Sequence, residues 1–380
     1  MTQPQAFLAG VAMTGFGKWP GQGALDLQLR AGQDALDDSG LTRDRIDGLL
    51  VGYATTAPHL MPATRFAEAF GIRPNSAYGI SVGGATGLAM IALARHLIAA
   101  GAARNVLVVA GENRRTGQTG ASATRVLSEV GDPLHEVPNG ASVPAYYALC
   151  ASQYLHRTGQ TESDLAELAV LMRRHATATE GAQFRDPITV DDVLASRPVA
   201  TPLKLLDCCP VSDGAAAVVV SADPDAGAIR IAGTGESHRH QHMSAAPADI
   251  TDGARIATAA ALAGAGCAMS DMGRVAIYDS FTVTLAMLLE ACGVSAPGAA
   301  AGEARAGRFD RHGPLPLNTH GGLLSYGHSG VAGGLAHLVE ITRRMRDDRA
   351  TGADRAPMSF VHADGGVFSS HASVVLEAAT

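Results

Sequence analysis

The segment from Asn318 to Gly334 carries His320, Tyr326 and His328 among Gly321, Gly322, Gly327, Gly330, Gly333 and Gly334. Glycines at this density permit sharp turns and close approach of backbone to a ligand, so His328 is expected on a rigid loop. An imidazole held there can act as a base beside a bound carbonyl, with N–H donors meeting the oxygen. His320 is read as orienting the loop backbone. Elsewhere, Tyr278-Asp279 and His362 each close a strand-like run, the second just before Gly365-Gly366. A phenol donates a hydrogen bond to a carbonyl oxygen, or exchanges a proton if its pKa is lowered. His328, Tyr326, Tyr278 and His362 are groups of this kind. Asp279 reads as a hydrogen-bonding cap on the backbone after its strand.

Positioning these residues requires two copies of one unit. In the first, a helix-periodic stretch from Leu25 to Leu36 leads into the strand-like run Gly48–Gly52. In the second, Ala254 to Leu262 leads into Val275–Tyr278. A second pair of features repeats the theme. Gly83-Gly84-Ala85-Thr86-Gly87 opens an apolar helix, Leu88–Ala100, followed by a strand at Asn105–Ala110. Gly330 to Gly334 opens Leu335–Met345, followed by Met358–His362. A glycine turn, a helix and a buried strand in both halves imply duplicated βαβ-containing units. Residues 114–207 form a more polar insertion between them. One helix there starts at Thr161 or Ser163, and a turn at Asp186-Pro187 leads into another. Asp223 to Gly227 reads as the linker, so the halves run over 1–225 and 228–380.

The Asn318…Gly321-Gly322…Gly327-His328…Gly330 pattern, Phe184 to Thr189, and Leu206 to Ala217 together resemble the thiolase superfamily. The resemblance covers nearly the whole chain and is nearest the sterol-carrier-protein branch. It implies an α/β thiolase fold, a five-layer α-β-α-β-α sandwich with an inserted loop domain over the coenzyme A tail. Three departures stand out. Where thiolases carry the nucleophilic cysteine of Cys-x-(Ser/Thr)-Gly, this chain has Gly84 before Ala85-Thr86-Gly87. Sliding the frame brings in Ser81, which has no evident activating base. Where thiolases carry Cys-x-Gly near the C-terminus, His362-Ala363-Asp364-Gly365-Gly366 is read as substituting His362 for the cysteine. Tyr278 takes the place of a thiolase Asn or His, and the resemblance thereby implies His328, Tyr326, Tyr278 and His362, all at motif positions, as the candidate catalytic set. Gly84, His320, Asp279, Gly365 and Gly366 are assigned as oxyanion or loop support.

The resemblance extends to thiolase-like aldolases that cleave steroid side chains as CoA thioesters. It implies a retro-aldol step on a β-hydroxyacyl-CoA, with Tyr326 or His328 as base and Tyr278 at the hydroxyl or enolate. A thiolase-type acyltransferase and a non-catalytic acyl-CoA-binding scaffold are the alternatives. The same resemblance implies a homodimer and a small OB-fold, zinc-ribbon partner protein completing a heterotetramer. CoA enters as substrate, and no resident cofactor is expected.

Composition narrows the field further. At 380 residues, 47% hydrophobic and only 17% charged, the chain has an α/β enzyme's make-up and more than one core's worth of residues. A net charge of −7 supplies no basic stripe for nucleic acid. CoA phosphates must then meet local arginines, for which Arg173, Arg174 and Arg185 are candidates. No apolar run reaches membrane-span length, and the first residues lack a basic leader, so a cytoplasmic protein is expected. Five scattered cysteines fit reduced thiols, and Cys208-Cys209 read as small buried apolar residues. His238, His240 and His242 alternate along a possible strand. With no cysteine or carboxylate at ligand spacing apart from Glu236, they are read as a polar edge and no metal is assigned.

Overall fold

A computed structural model describes residues 4–140, 142–226, 229–353 and 355–378. Gly227 and residue 228, at the expected linker, lie outside the described residues.

The first half contains β1 (Phe7–Met13), α1 (Ala24–Ser39), β2 (Gly48–Gly52), α2 (Pro62–Phe70), β3 (Ser76–Ile80), α3 (Thr86–Ala99) and β4 (Asn105–Asn113). The insertion follows as α4 (Gly120–Ser128), α5 (Val143–Thr158), α6 (Glu162–Thr177), α7 (Val190–Ala195) and the small pair β5 (Pro198–Ala200) and β6 (Leu203–Lys204). β7 (Asp213–Ser221) returns to the first sheet. The second half holds β8 (Ile229–His238), α8 (Asp252–Ala265), β9 (Met272–Ile277), α9 (Thr282–Ala291), α10 (Ala300–Arg305), α11 (Gly322–Ser325), α12 (Gly333–Thr351), β10 (Met358–Gly365) and β11 (Ser370–Ala378).

The strands run in the order β3-β2-β4-β7-β1-β8-β11-β10-β9. Two mixed half-sheets meet where Phe7 of β1 pairs with Arg230 of β8. α1 and α2 cover the outer face of the first half-sheet, and α8 covers the outer face of the second. α3 touches β4 and β11, while α12 touches β7 and β10, so both helices lie between the half-sheets. The layers are thus α-β-α-β-α.

Burial follows the sequence pattern. α1 buries Ala24, Leu27, Gln28, Ala31, Ala35 and Leu36, one stripe at helical spacing, against a single sheet. α3 buries Leu88, Ala89, Met90, Ile91 and Ala92 in succession, as a helix enclosed on all sides must. The outer helices press directly onto glycines. A Cβ at Gly10 would stand 2.1 Å from the Ala35 carbonyl oxygen, and one at Gly233 2.0 Å from that of Ala261. The same contact in both halves is the physical trace of the repeat.

In the insertion, Thr161 rather than Ser163 caps α6. Its hydroxyl accepts from Asp164 N–H at 3.4 Å, and the Asp164 carboxylate accepts from Thr161 N–H at 2.9 Å. Thr189 and Asp192 form the same reciprocal cap on α7. β9 stops at Ile277, which leaves Tyr278 just beyond the strand.

Candidate active site

Tyr278 is placed by Asn318. The Asn318 amide oxygen accepts from Ile277 N–H at 2.9 Å, and its NH₂ donates to the Ile277 carbonyl at 2.7 Å. A side chain thereby substitutes for a neighbouring strand and fixes the end of β9. Asp279, fully buried, accepts from Leu323 N–H at 2.7 Å and approaches His337 Nε2 at 3.3 Å, tying α11 to the end of β9. The His328 loop is held by Ser212: His328 N–H donates to its hydroxyl at 2.9 Å, and the His328 carbonyl accepts from its N–H at 3.0 Å. Gly327 takes φ +132°, a conformation that suits only glycine there.

These elements enclose a cavity of about 240 Å³ lined by Gly84, Arg114, Tyr147, Cys208, Cys209, Tyr278, His328, Asp364 and Gly366. Leu127, Val130, Val143, Pro144 and Phe281 supply apolar walls. Tyr278 Oη lies 2.7 Å from His328 Nε2. His328 Nδ1 accepts from Gly330 N–H at 3.3 Å, and this pattern assigns the hydrogen of the neutral ring to Nε2. His328 then donates to Tyr278 Oη, leaving the phenol's own hydrogen for a ligand. Burial, helped by the Arg114 guanidinium, holds the imidazole down to about 3. Burial likewise pushes the Tyr278 phenol well above its ordinary value. Both groups are neutral near pH 7.

Gly84 shows why no thiol stands here. A Cβ on residue 84 would lie 2.0 Å from Tyr278 Oη and 2.4 Å from the Asp364 carbonyl oxygen. The phenol fills the space a side chain would need, at the turn leading into the N-terminus of α3. Ser81 is exposed and lines a separate depression of about 410 Å³ beside β3, with Tyr53, His59 and Leu60. Cys208 and Cys209, read as small buried apolar residues, pack partly buried against the core and also line the cavity. Burial nonetheless pushes Cys208 up to about 12 and Cys209 higher, so neither thiol ionises readily.

The structure brings together Tyr278, His328, Gly84 and Gly366, and places the other candidates elsewhere. The Tyr326 hydroxyl donates to the Thr14 carbonyl at 3.0 Å, with its ring 5.1 Å from both Phe16 and His320. It does not line the cavity. His320 sits edge-on to His337 at 5.1 Å, fully buried behind the loop. His362 contacts Ser373 Oγ at 2.8 Å and His371 at 3.2 Å, deeper along β10. Gly365 packs β10 against the Gly83–Ala85 turn, where a Cβ would meet the Val82 carbonyl at 2.1 Å. Arg173 is buried, donating to Ser325 Oγ and the Asp186 carbonyl, each at 3.0 Å. Arg174 pairs with Asp310, and exposed Arg185 donates to the Thr177 carbonyl. None of the three arginines faces the cavity. β8 ends at His238, which turns to Glu236, while His242 approaches Asp132, so the three imidazoles do not converge.

Asp364, Arg114 and Tyr147 were not singled out from sequence. Asp364 carried a signal: it precedes Gly366 by two residues, the Cys-x-Gly spacing that had been given to His362. Its carboxyl accepts from Tyr147 Oη at 2.8 Å, and burial raises it to about 8. Among the described residues, no cluster of three or more metal-ligating side chains occurs and no helix is long and apolar enough to cross a membrane.

Residues 6–223 match the model for the thiolase N-terminal domain, and residues 235–378 match that for the thiolase C-terminal domain-like family. The chain is 31% identical to a 17-hydroxy-3-oxo-4-pregnene-20-carboxyl-CoA lyase of Mycobacterium tuberculosis, over 89% of this chain and 92% of the relative. It is 28% identical to an acetyl-CoA acetyltransferase of Methanocaldococcus jannaschii, over 90% of each. It superposes on the solved Ltp2-ChsH2(DUF35) aldolase with a TM-score of 0.84 and 29% identity, covering 100% of this chain and 99% of that one. With its layers, both domain matches and an enclosed site at the glycine loop, this chain belongs to the thiolase superfamily and is an SCP2-like member resembling the steroid side-chain-cleaving aldolases.

Proposed function

We propose that this chain breaks or forms the Cα–Cβ bond of a β-hydroxyacyl-CoA by aldol chemistry without a covalent acyl-enzyme. The observation that carries this reading is the Tyr278 hydroxyl standing where a side chain on residue 84 would be. A neutral phenol backed by His328 donates to the thioester oxygen as negative charge develops there, which is the stabilisation that enolate formation requires. His328 acts through Tyr278 and is a positioning residue. Arg114, lining the same cavity, adds a fixed positive charge. The reaction draws on no resident cofactor.

The apolar walls at Leu127, Val130, Val143 and Phe281 suit a bulky apolar acyl group, in keeping with relatives named for steroid substrates. A small OB-fold, zinc-ribbon partner protein is proposed to complete a heterotetramer, in keeping with the two components named for the Ltp2-ChsH2(DUF35) aldolase. The homodimer within it is proposed to form through β3, an edge strand whose Tyr78, with nearby Leu60 and Met61, is exposed. CoA contacts fall to residues other than Arg173.

Mass-spectrometric product analysis with a β-hydroxyacyl-CoA tests the reading. A released ketone or aldehyde with a shortened acyl-CoA, and no consumption of free CoA, supports it. CoA-dependent cleavage of a β-ketoacyl-CoA would instead favour acyltransferase chemistry, the activity named for the acetyl-CoA acetyltransferase relatives.

A further inference from the structure

Asp364 is an ionisable group of the cavity lining to which the roles above give no task. It lies near the end of β10, opposite His371 of β11, and is almost wholly buried. Its Oδ2 accepts from Tyr147 Oη at 2.8 Å, and that phenol also reaches the Gly366 carbonyl at 3.0 Å. The backbone N–H groups of Phe368 and Gly365 also face the carboxyl, yet its buried Oδ1 makes no hydrogen bond of ordinary geometry among the described residues. Leaving such an atom unpaired costs on the order of 1–3 kcal/mol, and a polar group kept so beside a cavity calls for an explanation.

The groups facing the carboxyl are Tyr147 and Cys150 from α5, His371 from β11 at 3.9 Å, and Tyr278 from the end of β9. Burial keeps His371 down at about 4, so its ring offers no cation near neutrality. Burial raises Asp364 itself to about 8. The other groups of the cavity are poorly placed to exchange a proton at pH 7. His328 is held at about 3, Cys208 at about 12, and both phenols lie well above their usual value.

We propose that the Asp364 carboxyl is the proton-transfer group of this active site. The assignment deepens the aldol reading and rests on it for the identity of the substrate. In the cleavage direction, the carboxylate takes the proton of the β-hydroxyl. The O–H electron pair becomes the new C=O bond as Cα–Cβ breaks, and the pair of that bond becomes the thioester enolate held by Tyr278. The carboxylic acid then returns the proton to Cα, whose enolate pair forms the C–H bond, and the carboxylate is regenerated. No oxidant, reductant or further reactant enters.

Asp364→Asn keeps the size of the side chain and an acceptor for Tyr147 but cannot carry a proton. Two readouts on the full chain are needed: cleavage of a β-hydroxyacyl-CoA, and exchange of Cα hydrogen for deuterium in propionyl-CoA dissolved in D₂O. In the native protein, exchange rises with pH and levels off above about 8. The Asn variant is expected to lose at least about 100-fold in both rates and to lose the pH dependence, while its Kd for propionyl-CoA stays within about threefold. Asp364→Glu is expected to recover part of the exchange. A variant Asp364→Asn that exchanges within tenfold of the native rate, or keeps the same pH break, overturns the proposal. Native protein that exchanges but does not cleave would sink the aldol reading and leave Asp364 standing. Native protein that does neither overturns both.

Discussion

Gly84→Ala is the smallest perturbation that tests how the site is built. Gly84 does not occupy a left-handed backbone conformation, so any effect of the methyl comes from its contacts. Its Cβ would sit 2.0 Å from Tyr278 Oη, 2.4 Å from Cζ and 2.4 Å from the Asp364 carbonyl oxygen. Relief to ordinary contact moves the phenol by more than about 1 Å, because two of the three opposing atoms belong to it and the third is backbone. That shift breaks the 2.7 Å bond to His328 and withdraws the donor from the thioester. Misplacing such a group by about 1 Å costs on the order of 100-fold in rate. Overpacking should cost about 1–3 kcal/mol in stability. Tyr278→Ala alone removes a buried ring at about 3–5 kcal/mol. In the double variant most of the clash vanishes, so the added alanine should cost little beyond Tyr278→Ala, a coupling of about 1–3 kcal/mol. Thermal midpoints and denaturant titrations of the four proteins, with cleavage rates for each, give the cycle. Additive losses, or a Gly84→Ala protein of native activity, would refute the idea that the phenol owns this space.

Three further outcomes follow from the same geometry. Arg173→Ala should lower the thermal midpoint, removing two hydrogen bonds and the stacking on Phe184 at 5.1 Å, while KM for the CoA thioester stays unchanged. A raised KM with an unaltered midpoint would restore Arg173 to CoA binding. In acid, His175, His328 and His371 have folded pKa values held by burial at about 4, 3 and 4, below the unfolded 6.5. The unfolded chain therefore binds more protons, and stability should fall as pH drops below about 6.5. Asp364 has the opposite sign: its folded value of about 8 lies above 3.8, so its carboxyl opposes folding increasingly from about pH 4 to 8. Asp364→Asn should thus gain stability relative to the native protein across that window, which paired denaturant titrations at pH 5 and 8 would show or deny. Finally, Gly84→Cys combined with Tyr278→Asn should give a thiol at the N-terminal turn of α3 that iodoacetamide alkylates faster than any native cysteine. Equal reactivity would mean that the turn does not activate a thiol.

Much of the frame was legible from local pattern. The run Gly48–Gly52 is a strand of those bounds, and both glycine turns open helices that lie between the half-sheets. Repetition made these visible, since each signal occurred twice. The side chains of the site were less legible, for reasons specific to each. His362 and Asp364 lie on the same face of β10 by strand alternation, and only the position of the strand end relative to Gly84 decides which reaches the cavity. Tyr326 lies two residues from His328, but Gly327 swings the chain so that the phenol meets Thr14 instead. Arg173 has the look of a solvated helix arginine, yet Ser325 and Asp186 close over it from distant parts of the chain. Arg114 and Tyr147 enter from the insertion and its border, where no repeat exists to mark them.

The electrostatics explain why these departures belong together. A thiol nucleophile needs stabilised negative charge at the start of α3 before the reaction begins. This cavity does the reverse, since burial drives its imidazole, its phenols and its thiols toward their neutral forms. Negative charge then arises mainly during reaction, on the thioester oxygen, beside a donor phenol, a guanidinium and a helix N-terminus. A second standing anion would compete for those donors, so a carboxyl near Tyr278 must spend most of its time protonated at neutral pH. Asp364 satisfies that condition through burial, and Tyr147 holds its other oxygen. Replacing Gly84 alone would bring in a side chain where the phenol stands, and removing Tyr278 alone would strip the donor and leave the His328 N–H unpaired. Gly84, Tyr278 and Asp364 are therefore one arrangement, and a change in any of them is felt by the other two.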